Sequence, residues 1–294
     1  MTETIPFAGT ILCSAGLELG EGPTFDPATG TAWWFAITGK ELHELHLESG
    51  RTSVHTLPFM GSVLAVIDAE RQLIVSDLGL FIRDVKTGTF SDYGTLEDIP
   101  GNRSNDGRVH PSGALWVGTM SRSENKGAGA IYHVAAGTVT KLYNNISIPN
   151  GICFSPDGKT GYFTDTEVNH LMRVDLDAAT GLPVGDASVL SDETGNTGGI
   201  DGSVCDADGL IWNARWGAGG VEVYTPDGTK IRTYSVPAKQ TSCPAFIGKN
   251  AERMLVTSAR QGMDTAARAA DPTGGQTFDL GIEVKGRFEP AYRL

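Results

Sequence analysis

Residues 112–120 read SGALWVGTM, a Ser-Gly turn followed by a short apolar run. Similar fragments occur six times along the chain: TGTAWWFAI, ERQLIVSDL, SGALWVGTM, DGKTGYFTD, DGLIWNARW and AERMLVTSA. Their central residues are Trp33, Ile74, Trp116, Tyr162, Trp212 and Leu255. These residues follow one another at intervals of 41, 42, 46, 50 and 43, and repeats of about 40 to 50 residues are typical of four-stranded propeller blades. The spacing predicts a six-bladed β-propeller with four-stranded antiparallel blades around a central channel, formed by residues 1–294 as a single domain.

Composition favours the same class of fold. The 294 residues are 40% hydrophobic, which is enough to bury a substantial core, and they include 38 glycines. Asp-Gly and Pro-Asp-Gly turns recur, and no long run follows the 3.6-residue period of an amphipathic helix. We therefore predict an all-β protein made of short strands joined by tight turns.

The charge balance argues against nucleic acid and membrane partners. A formal net charge of −12 arises from 35 acidic and 23 basic residues, and the basic residues are scattered along the chain. No apolar run approaches the roughly 20 residues of a membrane span, and the N-terminal MTETIPFAGT is acidic where a signal peptide would be basic. The four cysteines form no CxxC pair, so neither a zinc cluster nor a redox motif is indicated. We expect a cytoplasmic protein with buried thiols.

Aligning the repeats predicts which residues meet at one mouth of the channel. The residues that open the six inner strands are Glu21, Val63, Asn105, Asn150, Asp201 and Cys243. The residues that close the six return strands are Ala36, Asp77, Thr119, Asp165, Arg215 and Ser258. Equivalent positions of a propeller converge around the channel, so two carboxylates and two amides are expected to face one cavity. Such a concave polar site is suited to a small ligand.

Two interpretations of these polar residues are open. Asp and Asn commonly cap turns by bonding to their own backbone, which would make them structural. As a set, however, Glu21 and Asp201 would repel each other in a narrow site unless a cation or a proton lay between them. Carboxylate and amide oxygens suit a hard divalent cation such as Ca²⁺, Mg²⁺ or Mn²⁺, and carboxylate sites also take Zn²⁺.

Several motifs in order resemble the gluconolactonase and regucalcin (senescence marker protein) family of six-bladed propellers. They are LGEGPTFDPATGTAWW, NRSNDGRVHPSGALWVGTM, PNGICFSPDGKTGYFTDT and IDGSVCDADGLIWNARWG. The resemblance implies one divalent metal held by Glu21, Asn150 and Asp201. It also implies that Arg103 and Asn105 contact the substrate. The activity it implies is hydrolysis of aldonolactones and related sugar lactones, usually in the cytoplasm.

The sequence departs from the family pattern at two positions. Ala36 stands where an Asp is common, and Glu124, in GTMSRSENKG, only loosely matches an acidic residue that the family uses at the substrate. Neither departure removes a metal ligand that the resemblance implies. The loose match makes Glu124 a candidate substrate-binding residue.

Two roles remain open at this stage. The resemblance suggests Asp201 as the base that deprotonates water, with a hydroxide on the metal as the alternative. Arg215 has three possible roles: it neutralises Asp165, extends into solvent, or joins Arg103 in binding the carboxylate of an acidic lactone.

Two other functions fit a propeller with a polar mouth. A related propeller hydrolase could act on organophosphates or larger lactones, for which an apolar pocket is expected. A non-catalytic propeller could bind a metal or another ligand without turnover, since one fold hosts many functions.

Overall fold

The computed structural model describes residues 2–294, which form 25 strands and one short helix. The strands are β1 Glu3–Ile5, β2 Thr10–Cys13, β3 Gly20–Asp26, β4 Thr31–Ala36, β5 Glu41–His46, β6 Arg51–Thr56, β7 Gly61–Val66, β8 Arg71–Ser76, β9 Gly79–Asp84, β10 Phe90–Gly94, β11 Asn102–Val109, β12 Leu115–Ser121, β13 Gly129–Ala135, β14 Thr138–Ile146, β15 Pro149–Phe154, β16 Thr160–Asp165, β17 His170–Asp175, β18 Ser188–Asp192, β19 Gly199–Cys205, β20 Ile211–Trp216, β21 Gly220–Tyr224, β22 Lys230–Ser235, β23 Gln240–Ile247, β24 Arg253–Ala259 and β25 Thr277–Asp279. The helix α1, Thr265–Ala270, precedes β25. The prediction of an all-β protein is confirmed.

Four sheets contain four consecutive strands each: β3 to β6, β7 to β10, β11 to β14 and β15 to β18. Short turns make consecutive strands antiparallel. In the turn after β3, the amide of Gly30 donates to the carbonyl of Asp26 at 2.9 Å, and Gly30 has a φ of 67°. Glycine adopts this left-handed conformation at little cost in free energy because it has no Cβ. The chain can therefore reverse within a few residues and form an antiparallel pair.

The remaining strands form one nine-stranded sheet instead of two separate sheets of four. Its path is β1-β22-β21-β20-β23-β24-β25-β2, and β19 pairs with β20. A single residue pair, Trp216 with Gln240, links β20 to β23. The N-terminal strands complete this sheet, because β1 runs parallel to β22 and β2 runs antiparallel to β25.

The arrangement of these sheets is that of a propeller. The strands β3, β7, β11, β15, β19 and β23 contact one another in a closed ring, so they surround a central channel. The apolar core lies between neighbouring sheets. Between the third and fourth sheets, for example, the buried ring of Trp116 packs edge-on against Phe154 at 5.4 Å between centroids.

The C-terminal segment after β25 contains no strand and crosses the far end of the channel. The Arg287 guanidinium donates to the carbonyls of Cys205 and Phe154, and the Tyr292 amide donates to the carbonyl of Val66. The segment therefore ties three inner strands together.

All four cysteines are free, and Cys153, Cys205 and Cys243 are buried while Cys13 is partly exposed. The prediction of buried thiols holds for the three buried residues. Within residues 2–294 no helix is long and apolar enough to span a membrane.

Candidate functional site

A cavity of about 340 Å³ opens at one mouth of the channel. Six of the seven candidate residues line it: Glu21, Arg103, Asn105, Glu124, Asn150 and Asp201. They come from four different sheets. Of the six aligned inner-strand residues, Glu21, Asn105, Asn150 and Asp201 line the cavity, whereas the predictions for Val63 and Cys243 are wrong, because both are buried away from it. The residues predicted to close the return strands do not line this cavity. Asp165, for example, accepts hydrogen bonds from the amides of Ser147 and Ile148 and so holds a turn.

A β-bulge near the start of each inner strand lies beside the side chains of Glu21, Asn105, Asn150 and Asp201, which line the cavity. The ladder register shifts in all six inner strands, for example between Glu21 and Thr24 in β3. A bulge bends its strand and re-aims the residues beside it. Each of the three predicted metal ligands precedes a glycine, as in Glu21-Gly22. Gly22 has a φ of 57°, and a Cβ there would lie 2.1 Å from the carbonyl oxygen of Ser62.

Hydrogen bonds fix the amides of the site. Asn105 donates from Nδ2 to Asn150 Oδ1 at 2.8 Å and to the carbonyl of Pro149 at 3.0 Å. Its Oδ1 accepts from Arg103 Nη1 at 2.7 Å. Asn150 donates from Nδ2 to Thr166 Oγ1 at 2.8 Å. The Asn150 carbonyl oxygen therefore keeps one lone pair for a ligand.

Three carboxyl groups, those of Glu21, Asp201 and Asp106, influence one another at this end of the channel. Asp201 is 3% exposed and Asp106 is 7% exposed, while Glu21 is partly exposed to the cavity. Burial and the charge of Asp106 raise the pKa of Glu21 to about 8. Burial, followed by the charge of Glu21, raises the pKa of Asp201 well above its usual value. Burial also raises the pKa of Asp106.

The donor set fits a hard divalent cation. Within residues 2–294 neither Glu21 nor Asp201 forms an ion pair with a basic side chain, so protein cations leave their charge incompletely neutralised. No three His, Cys, Asp or Glu side chains are grouped as a metal site in those residues, and the third donor here is the amide oxygen of Asn150. Two carboxylates and one amide oxygen are ligands that Ca²⁺, Mg²⁺ and Mn²⁺ accept, with water completing the shell.

Arg103 supplies the positive side of the cavity. It is 8% exposed, and burial lowers its pKa to about 10 although the nearby charges of Glu21 and Glu124 favour the cation. Its Nη1 donates to the carbonyl of Ser104 and to Asn105. A guanidinium has five N–H groups. The N–H groups other than the two on Nη1 are therefore available to a ligand in the cavity.

Glu124 lies on the loop that follows β12, above the cavity. It is exposed and has a left-handed φ of 55°. Two ion pairs flank it, because Arg122 contacts Asp77 and Lys126 contacts Glu167. The loop is thus tied to the sheets on both sides of the third sheet.

The structure does not bring Arg215 to the cavity. Its side chain is 1% exposed, its Nε lies 3.4 Å from Glu222 and its Nη2 lies 4.0 Å from Glu193. The same Nη2 donates to the carbonyl of Gly198 at 2.9 Å. Arg215 belongs to the second strand from the channel, and its guanidinium lies between Glu222 of its own sheet and Glu193, which directly follows β18 of the fourth sheet. It neither contacts Asp165 nor extends into solvent.

Sequence reasoning missed four polar or aromatic residues of the wall: Thr166, Trp216, Gln240 and Gln261. Thr166 and Gln261 follow β16 and β24 in turns, where the period of the strands gives no signal. Trp216 and Gln240 lie at the residue pair that joins β20 to β23. The alignment placed the opening of the sixth inner strand at Cys243, but β23 begins three residues earlier at Gln240, so the cavity-lining residue was missed.

The comparisons with known proteins agree with this geometry. A model of the "SMP-30/Gluconolactonase/LRE-like region" matches residues 19–260. The chain is 71% identical over 294 residues to a Rhizobium meliloti (strain 1021) protein provisionally named sugar lactone lactonase, with 100% of both chains covered. It is 33% identical over 276 residues to L-arabinolactonase from Azospirillum brasilense, with 92% of this chain and 90% of that one covered.

Among solved structures, the chain matches that of a calcium-binding protein, regucalcin, from Agrobacterium tumefaciens str. C58. The TM-score is 0.99 at 65% sequence identity, and both chains are covered completely. A ring of inner strands around a central channel defines a propeller-like all-β protein. The chain belongs to the SMP-30/gluconolactonase/LRE-like family, as the sequence motifs indicated.

Proposed function

We propose that the protein hydrolyses a sugar lactone to the open-chain hydroxy acid, using a divalent cation held by Glu21, Asn150 and Asp201. One observation carries the proposal: two carboxylates and one oriented amide converge in a cavity that also contains the guanidinium of Arg103. Relatives named as lactonases match over nearly their whole length, which makes this chain an enzyme of the lactone-hydrolysing type.

The proposal includes six blades. Four are the separate four-stranded sheets, and the other two are the halves of the nine-stranded sheet on either side of the Trp216 and Gln240 pair. The closed ring of six inner strands supports this count.

The cavity suits a small polar substrate. A volume of about 340 Å³ lies at the lower end of the range for small-molecule sites. Its wall offers the amides Gln240 and Gln261 and the charged Arg103 and Glu124, all able to bond sugar hydroxyls. Trp216 adds an aromatic surface. Leu19, Met120 and Ile148 supply apolar surface beside these groups. The charged and amide groups support a monosaccharide lactone over organophosphates or larger lactones, since its hydroxyls can pair with them.

The side chains have separate roles in the proposed reaction. A bound divalent cation would supply a Lewis acid that stabilises negative charge developing on the lactone carbonyl oxygen. Asp201 accepts the proton of the attacking water, whose oxygen forms the new bond to the carbonyl carbon. The ring carbon–oxygen bond then breaks, and the leaving oxygen takes up a proton. Arg103 orients the substrate through its free N–H groups, and Asn105 holds the amide of Asn150.

Calcium is the first cation to test, because the relative from Agrobacterium tumefaciens is called a calcium-binding protein. Magnesium, manganese and zinc are the alternatives, since each accepts carboxylate ligands.

A substrate panel tests the proposal. Purified protein, freed of metal by chelation, is assayed by acid release with neutral aldonolactones and acidic aldarolactones after adding each cation. We expect turnover of at least one sugar lactone that depends on added metal and is lost in Asp201→Ala and Glu21→Ala. Metal binding without turnover of any lactone would favour the non-catalytic function. Full activity of both variants after chelation would end the metal part of the proposal.

A further inference from the structure

Hydrogen bonds connect Arg103 to the backbone next to Asp201. Arg103 Nη1 donates to Asn105 Oδ1 at 2.7 Å, and Asn105 Nδ2 donates to Asn150 Oδ1 at 2.8 Å. Asn150 Nδ2 donates to Thr166 Oγ1 at 2.8 Å. Thr166 Oγ1 donates to the carbonyl of Ile200 at 2.7 Å. We call this series the amide relay.

The two ends of the amide relay fix its direction. Arginine has only donors, so the Asn105 atom facing Arg103 must be the oxygen. The Ile200 carbonyl has only acceptor lone pairs, so it takes the single hydroxyl hydrogen of Thr166. Thr166 can then only accept from Asn150, and the Asn150 atom facing it must be the nitrogen. Each amide therefore has one satisfied orientation.

This orientation determines what Asn150 presents to the cavity. With Nδ2 committed to Thr166, Oδ1 lies on the side of Asn105, with a lone pair available. A rotation of 180° would set the nitrogens of Asn150 and Asn105 against each other and would remove the oxygen as a ligand. Asn150 is 5% exposed, so water cannot readily compensate for a lost partner.

Thr166 is itself held in place. It directly follows β16, and its amide donates to the carbonyl of Ile148 at 3.0 Å. Its hydroxyl bonds to the peptide that precedes Asp201. One hydroxyl group therefore connects the side chain of one proposed metal ligand to the backbone of another.

We propose that Thr166 is a positioning residue that sets the amide orientation of Asn150 and so prepares its oxygen for a cation. The inference rests on the proposed function for the identity of the ligands. The orientation itself is a property of the metal-free protein.

The test compares three variants. Thr166→Val keeps the shape of the side chain and removes the hydroxyl, whereas Thr166→Ser keeps the hydroxyl. Thr164→Val is the matched control, because Thr164 Oγ1 also donates to a carbonyl, that of His170, at 2.7 Å but lies outside the amide relay. Thermal melts of the metal-free proteins verify folding. Calorimetric titration with Ca²⁺ measures affinity, and NMR measures hydrogen exchange of the Asn150 side-chain amide, identified by its loss in Asn150→Asp.

We expect Thr166→Val to bind Ca²⁺ about tenfold more weakly, in line with other groups that orient a metal ligand. Thr166→Ser and Thr164→Val should stay close to wild type. In metal-free protein, the Asn150 Nδ2 hydrogens should exchange at least about tenfold faster in Thr166→Val, because their acceptor is gone.

Unchanged exchange in Thr166→Val would overturn the inference, whatever the metal does. Unchanged Ca²⁺ affinity in Thr166→Val, in a wild type that binds Ca²⁺, would overturn the role in metal binding. If wild type binds no divalent cation, the metal part of the proposed function fails. Faster exchange in Thr166→Val would then still support the orienting role of the hydroxyl.

Discussion

Arg108 and Glu289 form an ion pair with 2.6 Å between Nη1 and Oε1, which joins the inner strand β11 to the C-terminal segment. The side chain of Arg108 is 5% exposed and that of Glu289 is 23% exposed. Arg108 also donates to the backbone carbonyls of Pro23, Ser203 and Pro244, on three other inner strands. Burial opposes its charge, but Glu289 and other nearby groups raise the pKa of Arg108 above its ordinary value. It therefore stays charged inside the channel.

Removing Glu289 alone should be costly. Glu289→Ala leaves a buried cation without its counter-ion, and we expect the free energy of unfolding in urea to fall by about 3 kcal/mol. The double variant Arg108→Met, Glu289→Leu should recover part of this loss, because neither member of the ion pair is then buried without the other. The matched control is Asp208→Ala on the exposed Lys285–Asp208 pair, whose side chains are 53% exposed at Asp208 and 76% at Lys285. It should cost less than about 1 kcal/mol. Equal losses in the two alanine variants would contradict a structural role for the buried pair.

A second prediction concerns pH. The pKa of Glu21 is raised from 4.5 to about 8, and that of Asp201 is raised as well. Between these values the folded protein holds a proton that the unfolded chain has released, so the stability of the metal-free protein should fall as pH rises from about 4.5 to about 8. Cation binding requires the carboxylates to be ionised, so Ca²⁺ affinity should rise over the same range with release of protons.

Urea unfolding at several pH values, with and without Ca²⁺, checks both halves of this prediction. Glu21→Gln is the control, because its neutral amide removes one titrating group. Its metal-free stability should depend less on pH than that of wild type. A Ca²⁺ affinity that is flat between about pH 6 and pH 8 would contradict the coupling of protons to cation binding.

A third prediction tests the bulge that aims Glu21. Gly22→Ala should disrupt the site, because the new Cβ would lie 2.1 Å from the carbonyl oxygen of Ser62. That oxygen belongs to the backbone of β7, so it can move away only if the strand moves. Gly50→Ala is the matched control: Gly50 has a similar φ of 67° with nothing within 4 Å of the added Cβ. We expect the control to lose about 1 kcal/mol in unfolding free energy from left-handed strain alone. Gly22→Ala should lose about 3 kcal/mol or more, together with Ca²⁺ binding. Similar losses in both variants would show that the close approach to Ser62 is unimportant.

The repeats explain why the three proposed metal ligands line one cavity, because these ligands occupy equivalent positions. Glu21, Asn150 and Asp201 occupy the same place in three repeats, and any closed ring of inner strands brings such positions together. The same reasoning could not predict Thr166. Its proposed role depends on its position in one turn, where its hydroxyl donates a hydrogen bond to the carbonyl of Ile200 on the next sheet. Such contacts between sheets depend on loop geometry and have no period in the sequence.

The sequence also could not show which side chains at the strand ends point into the channel and which point toward a neighbouring strand or sheet. Asn105 was assigned to the substrate, but both hydrogens of its side-chain amide are committed to Pro149 and Asn150. Its contact with substrate remains a prediction that relies on the second lone pair of its oxygen. Arg215 lies beside the site in the chain, yet its strand is one removed from the channel, so its charge meets Glu222 instead. A register shift follows Ser104, beside Asn105, and such bulges are not visible in the hydrophobic pattern.

The last prediction separates Arg215 from substrate recognition. If Arg215 bound the carboxylate of an acidic lactone, Arg215→Met would reduce kcat/KM for that lactone about ten- to a hundredfold more than for a neutral one. The structure leads us to expect the opposite, because the guanidinium is buried beside Glu222 and Glu193 and does not line the cavity. Arg215→Met should lower the melting temperature, since Glu222 and Glu193 then keep only the partly exposed Lys230 as a basic partner.

Its kcat/KM for galactarolactone and for gluconolactone should fall by the same factor, within about twofold, when measured well below the melting temperature. Arg103→Met provides the contrast. It removes the N–H groups that face the cavity, so it should lower kcat/KM on both lactones more than Arg215→Met does. Its melting temperature should fall as well, because the bonds to Ser104 and Asn105 are lost. A selective loss on the acidic lactone in Arg215→Met would show that this arginine reaches the substrate after all, through a rearrangement of the sheet that carries it.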